Sequence, residues 1–226
     1  HKRIYRTVNG GSAWLLDQTI AQGVTTATLS IADTALGAVV DQDNDPPPVS
    51  FHAIRHQEHV FFLDAANPSY LWWSKRYRPE SRPLTNFIDI GSVDDPFNVL
   101  VPMAGLLGAF TRTTKYRIFG NATSGFVHQE ALSSRGTPAP QAVLVTEKGC
   151  LFPARDGLFL TNFTQEDSEL SQLIAPLFEG IEINGYLPIN WAAAATMALA
   201  YWKQRLYFAY PSGTATARLR MAMRSN

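Results

Sequence analysis

A short apolar stretch, a polar turn and a second apolar stretch recur four times in the same order along this chain. The copies occupy residues 51–74, 97–119, 141–162 and 191–224. Their clearest landmarks are Val60-Phe61-Phe62-Leu63, Leu107-Gly108-Ala109-Phe110, Leu151-Phe152-Pro153-Ala154 and Leu206-Tyr207-Phe208-Ala209. From Val60 to Leu107 to Leu151 to Leu206 the steps are 47, 44 and 55 residues. A period of about 40–50 residues, with three or four strands per copy, marks propeller blades. One such unit cannot bury both of its faces, so the copies demand neighbours in a ring or a stacked array. The expected fold class is all-β: a partial β-propeller of about four blade-like repeats, preceded by a partial β-sandwich segment, with one short helix.

The first 48 residues follow a different pattern. Arg3-Ile4-Tyr5-Arg6 alternates with period two and predicts a strand. Asn9-Gly10-Gly11-Ser12 is a turn signal, and residues 14–16 and 27–30 are further strand candidates. Asp41 to Pro48, ending in three prolines, reads as a stiff linker. The expected division is residues 1–48, a partial sandwich with its linker, and residues 49–226, the blades. Within the repeats, residues 120–140 read as a long loop. Residues 165–178 predict the helix: Asp167 or Ser168 caps it, Leu170, Leu173, Ile174 and Leu177 recur at helical spacing, and Pro176 limits its end. Residues 192–200 are helical by alanine propensity but strand by repeat register, and the register is preferred.

Composition narrows the picture. The 226 residues are 46% hydrophobic and 12% aromatic, as in a globular protein. Nineteen basic and nineteen acidic side chains cancel, so no overall charge draws the chain to nucleic acid or anionic lipid. The single cysteine, Cys150, excludes an internal disulfide framework, and its apolar strand predicts an inert thiol. The opening residues show no apolar signal region, and the longest apolar stretch, residues 191–201, is too short to span a bilayer. A soluble protein is expected. Both ends read as cuts from a longer polypeptide.

Candidate chemistry is sparse. Asp41, Asp43 and Asp45 take the first, third and fifth places of a calcium loop, but Pro46 and His52 stand where glycine and glutamate belong. His52, His56 and His59 cluster without a completing carboxylate pair or cysteine, and read as exposed or hydrogen-bonded turn histidines. Asp64, Asp89, Asp94, Asp95, Glu166 and Glu182 could supply glycosidase carboxylates, yet none sits in a recognisable motif. No nucleophile elbow or phosphate-binding glycine loop occurs, so no catalytic residue, metal or cofactor is assigned and the expectation is a non-enzyme. Tyr70, Trp72, Trp73, Arg76, Tyr77 and Arg78, with Lys75, form an aromatic and basic strip suited to a subunit interface, or to stacking sugars or nucleotides.

Several stretches resemble a family. Residues 3–7 with Gly10-Gly11, Thr25-Thr26, residues 32–37 and Pro46-Pro47-Pro48 are similar to a fibronectin-like insert found in β-propeller virion proteins of tailed bacteriophages. Residues 71–79 resemble that family's S-x-x-Y-x-P blade ending, although Lys75 and Arg76 replace the expected acidic residue and proline. Residues 115–120, 154–158 and 205–213 also fit. The resemblance implies a structural protein of the tail hub or nozzle, a homo-oligomeric ring around the channel through which double-stranded DNA leaves. It implies contacts with other tail or portal-adaptor proteins, synthesis in the bacterial cytoplasm and a final place in the virion. Residues 120–140 and 165–178 are the expected inter-subunit contacts. The alternatives are a receptor- or glycan-binding propeller with Trp72, Trp73 and Tyr77 as stacking platform, and a glycosidase propeller.

Overall fold

The computed structural model describes residues 1–40, 43–121, 123–203, 205–213 and, as backbone, 215–222. The protein is all-β, with 44% of residues in strands and 9% in helical turns. It divides into two compact units, His1–Asn44 and Asp45–Asn226. No helix among the described residues is long and apolar enough to cross a membrane.

The first unit holds one antiparallel hairpin, β1 (Lys2–Arg6) and β2 (Leu15–Ile20). Arg6 organises it, donating from Nε to Asp17 at 2.7 Å and from its other nitrogens to Asp33 and the Ile31 carbonyl. Residues 27–30, expected as a strand, join no ladder and are exposed. No apolar side chain among the described residues of this unit is buried, so β-branched propensity alone does not make a strand there.

The second unit is a series of four antiparallel meanders. The first sheet comprises β3 (Ser50–His56), β4 (His59–Asp64), β5 (Tyr70–Trp73) and β6 (Phe87–Asp89). The second comprises β7 (Val99–Met103), β8 (Leu106–Phe110), β9 (Lys115–Asn121) and β10 (Gly125–Glu130). The third comprises β11 (Leu144–Thr146), β12 (Gly149–Ala154), β13 (Gly157–Thr161) and β14 (Ser168–Glu169). The fourth comprises β15 (Ala198–Trp202), β16 (Arg205–Ser212) and β17 (Ala215–Ala222). Spatial order equals chain order in every sheet. The repeated landmarks are the second strands β4, β8, β12 and β16.

Three apolar cores lie between consecutive sheets. Phe61, Leu63 and Leu71 meet Leu100, Leu107, Ile118 and Phe126. Val99, Val101 and Phe110 meet Cys150, Phe152 and Phe163. Leu151 and Leu158 meet Met197, Leu206, Phe208 and Tyr210. Side chains alternate across a strand, so β8 sends Leu107 and Ala109 one way and Phe110 the other. Strand β12 likewise divides Cys150 and Phe152 from Leu151. Burial on both faces is why these strands read as unbroken apolar runs. Gly108 leaves room on β8: a Cβ there would stand 2.2 Å from the Phe163 ring.

Three elements depart from the sequence reading. The expected loop at residues 120–140 contains β10, which follows a turn in which the Asn121 side chain accepts from the Thr123 and Ser124 amides. Phe126 turns into the core and Val127 outward, a short alternation masked by its polar surroundings. The expected helix at 165–178 is not continuous: Ser168–Glu169 is β14, Gln172–Ile174 a 3₁₀ turn, and only Ala175–Phe178 (α1) is α-helical. Asp167 is drawn into an ion pair instead of a cap, Leu173 is 93% exposed, and Pro176 opens α1 rather than closing it. Residues 192–200 divide: Trp191–Thr196 is a 3₁₀ segment capped by Asn190, and β15 begins at Ala198.

Candidate functional site

The aromatic and basic strip does not form one platform. Strand alternation points Leu71 and Trp73 into the core between the first two sheets, where Trp73 lies 5.3 Å from Phe126. Tyr70 and Trp72 take the opposite face, against Phe87 at 4.9 and 4.8 Å. Trp72 is only 8% exposed: its indole N–H donates to Asp64, and the Arg82 guanidinium covers its ring at 3.9 Å. Arg76 and Tyr77 lie beyond the strand, and both donate to the Glu58 carboxylate. Those hydrogen bonds, Arg76 first, bring Glu58 down to about 2. The Arg78 amide closes the same turn on the Lys75 carbonyl at 3.1 Å. Among the aromatic rings of the six, Tyr77 is the most exposed, at 67%, and the Arg76 guanidinium lies over it at 5.2 Å.

Two of the six candidate carboxylates, Asp64 and Asp95, are likewise engaged. Asp64 accepts from the Ala66 amide, Asn67 and Trp72. Burial pushes its carboxyl up, but these hydrogen bonds outweigh it and hold it below the ordinary carboxylate range. Asp95 fastens the β8–β9 turn, accepting from the Thr111 hydroxyl at 2.6 Å, the Arg112 amide at 3.0 Å and the Thr113 hydroxyl. No group of three or more metal-ligating side chains occurs among the described residues, and Asp41 lies outside them.

A cleft of about 710 Å³ opens where the β8–β9 turn, the connection after β10 and the β12–β13 turn converge. Its wall includes Arg112, Arg135, Arg155, Asp156 and Glu166. Beneath it lies a buried ion pair linking the second and third sheets: Lys115 Nζ donates to Asp167 at 2.7 Å, both side chains being fully enclosed. Lys115 also donates to the carbonyls of Ser133 and Arg135, at 2.8 and 3.3 Å, and the Ser133 hydroxyl donates to Asp167. The pair therefore holds residues 133–135, one wall of the cleft, in place. Gly136 continues that wall so close to the β8–β9 turn that a Cβ would lie 2.5 Å from the Thr111 carbonyl. Burial lowers the Lys115 ammonium pKa against the pull of Asp167, and pushes the enclosed Cys150 thiol up to about 12. Such a thiol is not a nucleophile. Nothing in the sequence marks Lys115 as buried, because it occupies the first place of an amphipathic strand.

The histidine cluster is more enclosed than its sequence context suggests. His56 and His59 are 7% and 4% exposed and pack edge-on to Phe61. His59 Nδ1 lies 2.7 Å from the Ser74 carbonyl, while His56 Nε2 has no partner among the described residues. His52 reaches the Leu100 carbonyl at 3.2 Å. Burial holds His56 and His52 below the ordinary histidine pKa, with His59 adding to the effect at His56. Neutral rings are therefore favoured in the fold. Their contribution to stability is fully present above about pH 6.5 and is lost as pH falls below it, where the unfolded chain takes up protons first. Urea midpoints are expected to be lower at pH 5 than at pH 7.5, with the difference reduced in His56→Phe. An undiminished difference in that variant would assign the acid sensitivity elsewhere.

No protein-family model and no curated protein matches the chain.

Proposed function

We propose that this chain is a β-propeller segment with a structural role in a phage tail, a hub- or nozzle-type ring around the DNA exit channel that acts by subunit assembly. The first unit is then the fibronectin-like insert suggested by its motifs. The observation that carries the reading is the face-to-face series of meanders, in which β3 lies against β7 and β7 against β11. First strands clustered in this way suit the inner strands of blades around an axis. The outermost faces expose large rings, Phe51 at 54% and Phe87 at 37% on the first sheet and Trp202 at 59% on the last. Rings of this kind suit contact with further sheets supplied by other subunits. Zero net charge suits a conduit that must release DNA, since phosphate contacts strengthen binding.

Sedimentation and negative-stain microscopy of the purified protein test the reading. The expected result is a concentration-dependent assembly imaged as rings with rotational symmetry. Monomers alone across the micromolar range would remove the assembly mechanism, and filaments without closure would remove the ring. The glycan-platform alternative loses its main support, because Trp72 and Trp73 are occupied inside the fold.

A further inference from the structure

We propose that the cleft between the second and third sheets binds a small hydroxylated anion, a sugar acid or a sugar phosphate. Its volume, about 710 Å³, falls within the range of small-ligand pockets. Three arginines line it, and of these only Arg135 has a carboxylate partner among the described residues, Asp156 at 2.7 Å. Arg112 and Arg155 are left to face a ligand, and a planar fork matches a carboxylate or a phosphoryl group. Arg112 is held through its backbone and Arg155 at its head group. The Arg112 amide is fastened to Asp95, and the Arg155 guanidinium lies 5.6 Å from the centre of the Trp191 ring.

The rest of the lining selects within the anions. Thr113, Ser133 and Ser134 donate their protons to Asp95, Asp167 and Glu130, so their hydroxyl oxygens, with the Glu166 carboxylate, serve as acceptors for ligand hydroxyls. Leu132, 67% exposed, offers an apolar surface for the C–H face of a sugar ring. With three arginines against Asp156 and Glu166, the cleft carries one net positive charge. That balance suits a ligand of low charge and disfavours a polyanion such as nucleic acid, whose further phosphates would meet the two carboxylates. The wall at residues 133–135 is set in advance by the buried Lys115–Asp167 pair, so little ordering accompanies binding. The site stands independently of ring assembly.

Calorimetric titration of the full chain at low ionic strength tests the assignment, with galacturonate, glucose 6-phosphate, galactose, acetate and inorganic phosphate as probes. The two acidic sugars are expected to bind and galactose is not. Tighter binding of glucose 6-phosphate identifies a phosphoryl ligand, and tighter binding of galacturonate a carboxylate. Arg112→Gln and Arg155→Gln are each expected to weaken the preferred probe about tenfold or more. Both arginines are exposed, and circular dichroism checks folding; if the loss of the Trp191 contact disturbs Arg155→Gln, the Arg112→Gln result decides. The proposal is overturned if no acidic sugar binds, if galactose binds equally, if acetate or phosphate alone matches the acidic sugars, or if affinity survives the arginine substitutions.

Discussion

Replacing Asp167 by alanine is expected to destabilise the second unit by about 3–5 kcal/mol in urea unfolding. The substitution leaves Lys115 fully enclosed with its charge uncompensated, because its remaining partners are the carbonyls of Ser133 and Arg135 and the Ser133 hydroxyl. Carbonyl dipoles do not replace a carboxylate at 2.7 Å in a dry site. The pair also joins the second sheet to the strand-free segment before β14, so the loss should open residues 133–137 to hydrogen exchange before the rest of the unit. Replacing both partners, as Lys115→Met with Asp167→Leu, should recover most of the loss, since the cost belongs to the orphaned charge and not to the missing attraction. A single-variant loss below about 1 kcal/mol would show that Lys115 reaches water or deprotonates without cost.

Phe61→Ala is expected to cost about 3–5 kcal/mol. The ring is fully buried at the centre of an aromatic group, with centroid distances of 5.0 Å to Phe126, 6.0 Å to His56, 6.2 Å to Trp73 and 6.5 Å to His59. Truncation leaves a cavity shared by two sheets, whose backbones are fixed by their own ladders and cannot collapse into it. Tryptophan fluorescence reports the event directly through Trp73. Phe51, on the opposite face of the same sheet and 54% exposed, is the internal control: its alanine variant should stay within about 0.5 kcal/mol of the parent. Equal losses at the two positions would mean that the sheet faces are assigned the wrong way round.

The period of apolar strands was legible in the sequence, because each second strand carries its own run of large side chains whatever surrounds it. Cys150 inside such a run was legible as an inert thiol for the same reason. The fourth strands were not. Phe87–Asp89 and Ser168–Glu169 are three and two residues long, too short to show a period of their own, and they pair because β5 and β13 offer a ladder edge. Residues 165–178 show the opposite error: a spacing that suits a helix was overruled once Asp167 met Lys115 and Ser168 met Leu160.

The strip at residues 70–78 makes the same point at the level of function. Seven of those nine side chains are aromatic or charged, and their types suggested a shared surface. Strand alternation sent Trp72 and Trp73 to opposite faces, and the turn after β5 gave Arg76 and Tyr77 to Glu58. The cleft could not be found in advance, since Arg112, Arg135 and Arg155 lie 23 and 20 residues apart on three separate turns and loops. Local order of polar and apolar residues thus determined the all-β class and the repeat, because pleat and hydrophobic burial act over a few residues. Which faces meet, which charges are enclosed and where a cleft remains were decided only by packing sheet on sheet, because those contacts join residues that the chain keeps far apart.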